Sequence, residues 1–139
     1  MKKFFVVLLT VFSVSLMSCP SPVVDVQDEP FSFQGHWNVL DYALSYRGTD
    51  MYFEGDQWWM LKKDKMTSGG RFTYTDTDLS MWIGNTYHGT QRYEIIDKDT
   101  IFVYPPHDGM SYLSNIRLKG TGRTGKMLPV NRHWTFVDD

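Results

Sequence analysis

The chain has one cysteine in 139 residues, Cys19. A single thiol excludes an internal disulfide and any thiolate metal cluster, so a folded domain here must be held by its own core. There is no excess of positive charge: 14 basic residues stand against 16 acidic ones, a net charge of −2. That balance offers no electrostatic attraction to nucleic acid or to anionic lipid headgroups. The chain has no apolar run long enough for a retained membrane span, which takes about 20 residues. The one extended run, from Phe4, is interrupted by Thr10, Ser13 and Ser15. No nucleophile elbow occurs. The four histidines, His36, His88, His107 and His133, have no metal-ligand spacing. Nothing local argues for an enzyme, a cofactor or a metal, and none is expected.

What is present begins at the N-terminus. Lys2 and Lys3 precede the apolar stretch from Phe4 to Met17, which ends at Ser18-Cys19. A charged start, an apolar centre and a small residue at the processing point form the layout of a secretion signal. Leu16-Met17-Ser18-Cys19 resembles the lipobox of bacterial lipoproteins, with Leu16, Ser18 and Cys19 in the family's pattern and Met17 a less typical residue. The resemblance implies cleavage before Cys19 and acylation of its thiol and new amine. More than one acyl chain then holds the protein stably on a bilayer. Residues 1–18 are therefore expected to be a signal peptide. The mature chain would keep 121 of the 139 residues, and losing Lys2 and Lys3 takes its net charge from −2 to −4. The expected location is the bacterial cell envelope, lipid-anchored, with the membrane face open.

Residues 19–30 carry Pro20, Pro22 and Pro30 with Asp25, Asp28 and Glu29, a composition that suits neither helix nor central strand. This segment reads as a tether of about 30 Å or more in extended form. From Phe31 to Asp139 the pattern is short strands and turns. Residues 36–46 read as a bulged strand or a short helix. Glu54-Gly55-Asp56 makes a tight hairpin between Met51–Phe53 and Gln57–Lys62, and 63–70 reads as a polar turn. Strands follow at 71–75, 79–83, 87–96 and 100–104, where Pro105-Pro106 is expected to stop the chain. The alternation of 112–119 is clean, a glycine-rich connection covers 120–129, and a last strand falls near 132–137. Eight or nine strands joined by hairpin-length turns predict an all-β fold, an antiparallel up-and-down barrel whose closure removes the sheet edges.

Phe33-Gln34-Gly35-His36-Trp37 resembles the opening of lipocalin-like barrels, in which Gly-x-Trp leads the first strand. The similarity extends over about residues 31–137. It implies that Gly35 lets the chain enter the barrel floor and that Trp37 plugs it. It also implies that a late arginine, Arg117 or Arg132, packs over the indole as a cation–π partner. The family's later Thr-Asp-Tyr signature is absent, since Thr75-Asp76-Thr77 lacks the aromatic.

Aromatic residues make up 16% of the chain and must either thicken a core or line a pocket. Trp58, Tyr74, Trp82, Tyr93 and Phe102 lie on neighbouring strands and form a candidate lining for a small apolar or aromatic ligand. Trp58 and Trp59, being adjacent, must face opposite sides. One of them is then expected on the surface beside Tyr52, placed for a partner or a sugar. Gly120 to Lys126 matches seven of eight P-loop positions, but Met127 stands where the magnesium-holding hydroxyl belongs and a strand follows. Asp76/Asp78 and Asp97/Asp99 sit at turns, where aspartate bonds its own backbone. The leading expectation is a monomeric, membrane-anchored barrel that binds a small apolar ligand. The alternative is an envelope protein-interaction domain with a filled barrel. An interior cavity of about 300 Å³ or more separates the two.

Overall fold

The computed structural model describes residues 29–40, 48–109 and 115–139. The signal peptide, Cys19, nearly all of the tether, and the second half of the ambiguous 36–46 segment lie outside them. Phe31–Asp139 forms one compact unit. Its described part is all-β: β1 (Gly35–Val39), β2 (Thr49–Glu54), β3 (Gln57–Lys62), β4 (Lys65–Tyr74), β5 (Asp78–Ile83), β6 (Thr86–Asp97), β7 (Thr100–Gly109), β8 (Ile116–Gly120), β9 (Gly125–Val130) and β10 (His133–Asp138). Each of β1 to β7 pairs antiparallel with the next, and β8 returns to β1 through Trp37↔Gly120 and Val39↔Leu118. The predicted closed up-and-down barrel is therefore present, with eight strands in the ring. Beyond the prediction, β9 and β10 form a hairpin outside it, joined by one pairing, Thr135↔Lys65.

Alternation fixes what goes inside. Trp37, Met51, Phe53, Trp58, Met60, Phe72, Leu79, Met81, Tyr93, Ile101, Val103, Ile116 and Leu118 project inward and, with Phe33, make one buried cluster of 14 side chains. Fully burying each large apolar side chain stabilises the fold by about 1.5–3 kcal/mol. The outer wall of β2 to β4 carries a second, smaller core. There Tyr52 and Leu61 are covered by Met127 and Phe136 of the hairpin, with Trp59 and Met66 packed alongside.

One end of the ring is floored by the segment before β1. Phe33 is fully buried, with its ring 4.9–6.4 Å from those of Trp37, Phe53, Phe72, Tyr74 and Tyr93. Gln34 ties this strap to the β2–β3 turn, accepting from Gly55 N at 2.7 Å and donating to Gly55 O at 2.9 Å. The chain then turns into β1 at Gly35, whose φ of +111° suits a residue without Cβ.

Three predicted boundaries are corrected. The polar stretch 63–70 is mostly strand: the turn is only Lys63-Asp64, both at positive φ as a two-residue hairpin of this kind demands, and β4 starts at Lys65. Pro105 and Pro106 do not stop β7, which runs on to Gly109. Register shifts between Thr90 and Tyr93 insert extra residues on the β7 side on either side of the Gln91↔Pro106 pair, and a ladder interrupted in this way tolerates a missing N–H. The connection 120–129 contains β9 from Gly125, closed onto β10 through Asn131-Arg132, again two residues at positive φ.

Candidate functional site

The five aromatics proposed as a ligand lining are split by the ring. Trp58 is 1% exposed and points inward, with its indole N–H donating to the Trp82 carbonyl at 2.9 Å. Tyr93 is also buried inside, and its hydroxyl donates to the Thr75 carbonyl at 2.6 Å. Burial, then the nearby Asp76, pushes that phenol up to about 12. Tyr74 lies at the floor rim, partly exposed and stacked on Phe72. Trp82 and Phe102 belong to the outer wall. Both alternate out of phase with buried neighbours, Met81 and Leu79 for one, Ile101 and Val103 for the other. The set therefore does not line a single interior site.

The floor plug is where the Gly-x-Trp segment puts it. Trp37 is 4% exposed and its indole N–H donates to the Phe33 carbonyl at 2.7 Å. Its ring neighbours are Phe31 and Phe33. Neither expected arginine is found over it. Arg117 is on the outward, exposed face of β8, and Arg132 sits in the exposed β9–β10 turn. Among the described residues the arginine–ring contacts are Arg71 on Trp82, Arg92 on Tyr104 and Arg123 on Phe136.

Trp59 faces outward as expected, beside Tyr52 with rings 5.6 Å apart, but it is half-buried beside the β9–β10 hairpin rather than exposed. Trp134, on the hairpin itself, is the more exposed tryptophan at 48%.

A fully buried amide interrupts the apolar interior. Gln91, on β6, is 0% exposed, and its Nε2 donates to Met81 Sδ at 3.5 Å. Its Oε1 has no hydrogen-bond partner among the described residues. Leaving such an acceptor bare costs about 1–3 kcal/mol.

The densest polar constellation lies outside the ring, under the hairpin, and is built around His36 and Arg123. His36 follows Gly35 and precedes the inward Trp37, so its ring faces out of the barrel. There it is covered by Phe136, with ring centroids 5.0 Å apart. Arg123 comes from the connection between β8 and β9. Its Nε and Nη2 donate to the two oxygens of Asp138 at 2.8 and 2.9 Å, and its Nη1 donates to Asp64 Oδ1 at 2.8 Å. The guanidinium also lies 4.8 Å above the Phe136 ring. These bonds to two carboxylates raise the arginine's pKa further, and the same fork holds the Asp138 carboxyl below the usual range.

The hydrogen-bond chain fixes the imidazole tautomer. Arg123 Nη1 can only donate to Nε2, so Nδ1 carries the ring proton and donates it to Thr121 Oγ1 at 3.0 Å. Nε2 is then the lone-pair nitrogen, and it faces Arg123 Nη1 at 3.2 Å, with Asp50 Oδ2 at 3.6 Å. Burial lowers the His36 pKa, against the pull of Asp50 and with the push of Arg123. Burial raises that of Asp50. Atoms of His36, Asp50 and Asp64 lie within 4.8 Å of one another, a grouping that could ligate a metal. The guanidinium already stands among them as their cation, and a divalent ion would meet its charge at close range. Sequence reasoning missed this cluster because Arg123 sits in an aperiodic run, Thr121-Gly122-Arg123-Thr124, whose geometry no spacing rule predicts.

A third grouping runs along the outer wall of β5 to β7. Arg71 covers Trp82, which lies 5.3 Å from Tyr87. The Tyr87 hydroxyl is 2.7 Å from Thr90 Oγ1 and donates to Asp108 Oδ2 at 2.9 Å. Further along, Arg92 covers Tyr104, which donates to Glu94 at 2.7 Å and packs edge-on against Phe102. Bonds from Thr90 N and Tyr87 hold the Asp108 carboxyl low, and the bond to Glu94 raises the Tyr104 phenol. No protein-family model, no curated protein and no solved structure matches this chain.

Proposed function

We propose that the protein is a bacterial envelope lipoprotein, anchored through acylated Cys19, whose barrel is a filled scaffold that presents its outer wall to another envelope protein. The observation that supports this reading is the interior: one cluster of buried side chains runs from the Phe33–Trp37 floor through Trp58, Met60 and Met81. The outer strip from Trp82 and Tyr87 to Tyr104 and Phe102 supplies the residue types that dominate interface energies, aromatic rings and arginines, already braced by one another.

A specific observation favours a second reading, carriage of a small ligand. The unpaired Oε1 of Gln91 is an interior acceptor that a guest bearing an N–H or O–H would satisfy. Native mass spectrometry of the full chain purified from its own host separates the two. The filled-scaffold reading expects the mass of the lipidated polypeptide alone, and a stoichiometric small molecule released on denaturation would overturn it. Cys19→Ser is expected to move the protein from the membrane fraction to the soluble one, and a variant that still pellets would refute the anchor.

A further inference from the structure

The β9–β10 hairpin is held to the ring by few backbone bonds. These are the Thr135↔Lys65 pairing and Phe136 N donating to Asp64 O at 2.7 Å. The Tyr52 hydroxyl adds a bond to Gly125 O at 2.9 Å. The remaining polar attachment is Arg123, which joins the β3–β4 turn (Asp64) to β10 (Asp138) while resting on His36. Under the hairpin lie Tyr52 and Leu61, both buried. One of the four polar contacts of this Arg123 clamp is thus with the lone pair of a buried imidazole.

We propose that His36 and Arg123 form an acid-sensitive latch: a proton on His36 Nε2 evicts Arg123 Nη1, pairs the imidazolium with Asp50, and loosens the β9–β10 hairpin from the barrel wall. A proton on Nε2 meets the guanidinium at 3.2 Å before it meets Asp50 at 3.6 Å. Nδ1 is committed to Thr121, and Nε2 already accepts from a cation at 3.2 Å, so a new N–H there faces an N–H. Asp50 Oδ2, at 3.6 Å, is the nearest carboxylate to Nε2 and gains a proper hydrogen bond only when the ring turns away from the guanidinium. The charged groups facing the imidazole are Asp50 from β2, Asp64 from the β3–β4 turn, Arg123 from the β8–β9 connection and Asp138 from β10, with the Phe136 ring above.

The direction in pH follows from linkage. His36 has its pKa lowered from 6.5 in the closed form, so the open form binds more protons below 6.5. Closure is thus at full strength above about 6.5 and weakens as pH falls below it. With an open-form imidazole titrating at about 6.5 and a closed form that stays neutral, opening at pH 5 rises about thirtyfold, and the open-form pairing with Asp50 adds to that. The raised pKa of Asp50 works the other way, since its protonation in the closed form relieves a buried carboxylate.

Hydrogen exchange on the full chain in detergent micelles tests this, read as protection factors for residues 125–138. Between about pH 8 and pH 5 they are expected to fall several-fold or more, while those of β5 to β7 hold. His36→Gln, whose amide can keep both the Thr121 and the Arg123 bonds but does not titrate, is expected to give a flat profile. Wild-type protection that is unchanged over the range, or a fall as large in His36→Gln, overturns the latch. Should His36→Gln not fold, Asp50→Asn serves: without the receiving carboxylate, loosening must shift to lower pH, and an unshifted response refutes the proposal.

Discussion

Replacing Gln91 by Met tests the proposed filling of the interior at its fully buried amide. Methionine is unbranched and of similar length, so the change removes the carboxamide with little alteration of shape. In the structure the amide makes a single weak bond, to Met81 Sδ at 3.5 Å, and leaves Oε1 bare. Removing an unpaired buried acceptor recovers about 1–3 kcal/mol, against which the lost thioether contact sets roughly 0.5 kcal/mol. A net gain of about 1–2 kcal/mol follows. For a domain of this size the urea slope is about 1–1.5 kcal/mol per molar, so the midpoint should rise by roughly 1 M, and Tm by about 5 °C or more. Equilibrium urea unfolding followed by tryptophan fluorescence measures it, with the slope unchanged. A midpoint that stays put or falls would refute the reasoning: Oε1 is then bonded in solution, to a trapped water or to a guest, and the carrier reading of the barrel gains.

Three further outcomes are expected. Gly70→Ala would drive a Cβ into the Trp82 carbonyl oxygen, where backbone meets backbone and no side chain can yield, so a loss of about 3 kcal/mol or more should appear in the same urea titration. Trp58→Phe keeps an aromatic ring but strips the Trp82 carbonyl of its indole donor and leaves a void, for a loss of about 1–3 kcal/mol by thermal denaturation. Alkaline stability should decline as pH rises from 10 towards 12. Across that range the unfolded Tyr93 phenol ionises while the folded one, pushed up to about 12, keeps its proton, so the stability it contributes is complete below 10 and lost above. Tyr93→Phe should flatten that limb, and an undiminished decline would assign it elsewhere.

Much of the barrel is legible from residue order alone. The Gly55-Asp56 hairpin, the inward phase of Leu79 and Met81, and the opposition of Ile116 and Leu118 to Arg117 and Lys119 all follow from period two and turn chemistry. The candidate lining failed where residue type was allowed to outweigh that period. Trp82 stands out of phase with Leu79 and Met81 in the bare sequence, and the structure keeps it outside. The start of β4, Lys-Met-Thr-Ser-Gly-Gly, reads as a turn because it lacks apolar alternation, and its strand state comes from pairing with β3. Pro105 and Pro106 mislead because the bulges that excuse them belong to the pairing with β6. The His36–Arg123 cluster joins residues 87 positions apart through an aperiodic connection, which no local pattern encodes.

The ring is sealed between its first strand and its eighth, so Gly35–Val39 waits for Ile116–Gly120 before either has a neighbour on both sides. A polypeptide emerging amino end first holds every meander hairpin, yet no cylinder, until its closing staves arrive. Chains broken off before that point keep two raw margins, open to degradation or self-association, so the five residues Ile116–Gly120 decide whether the cylinder forms at all.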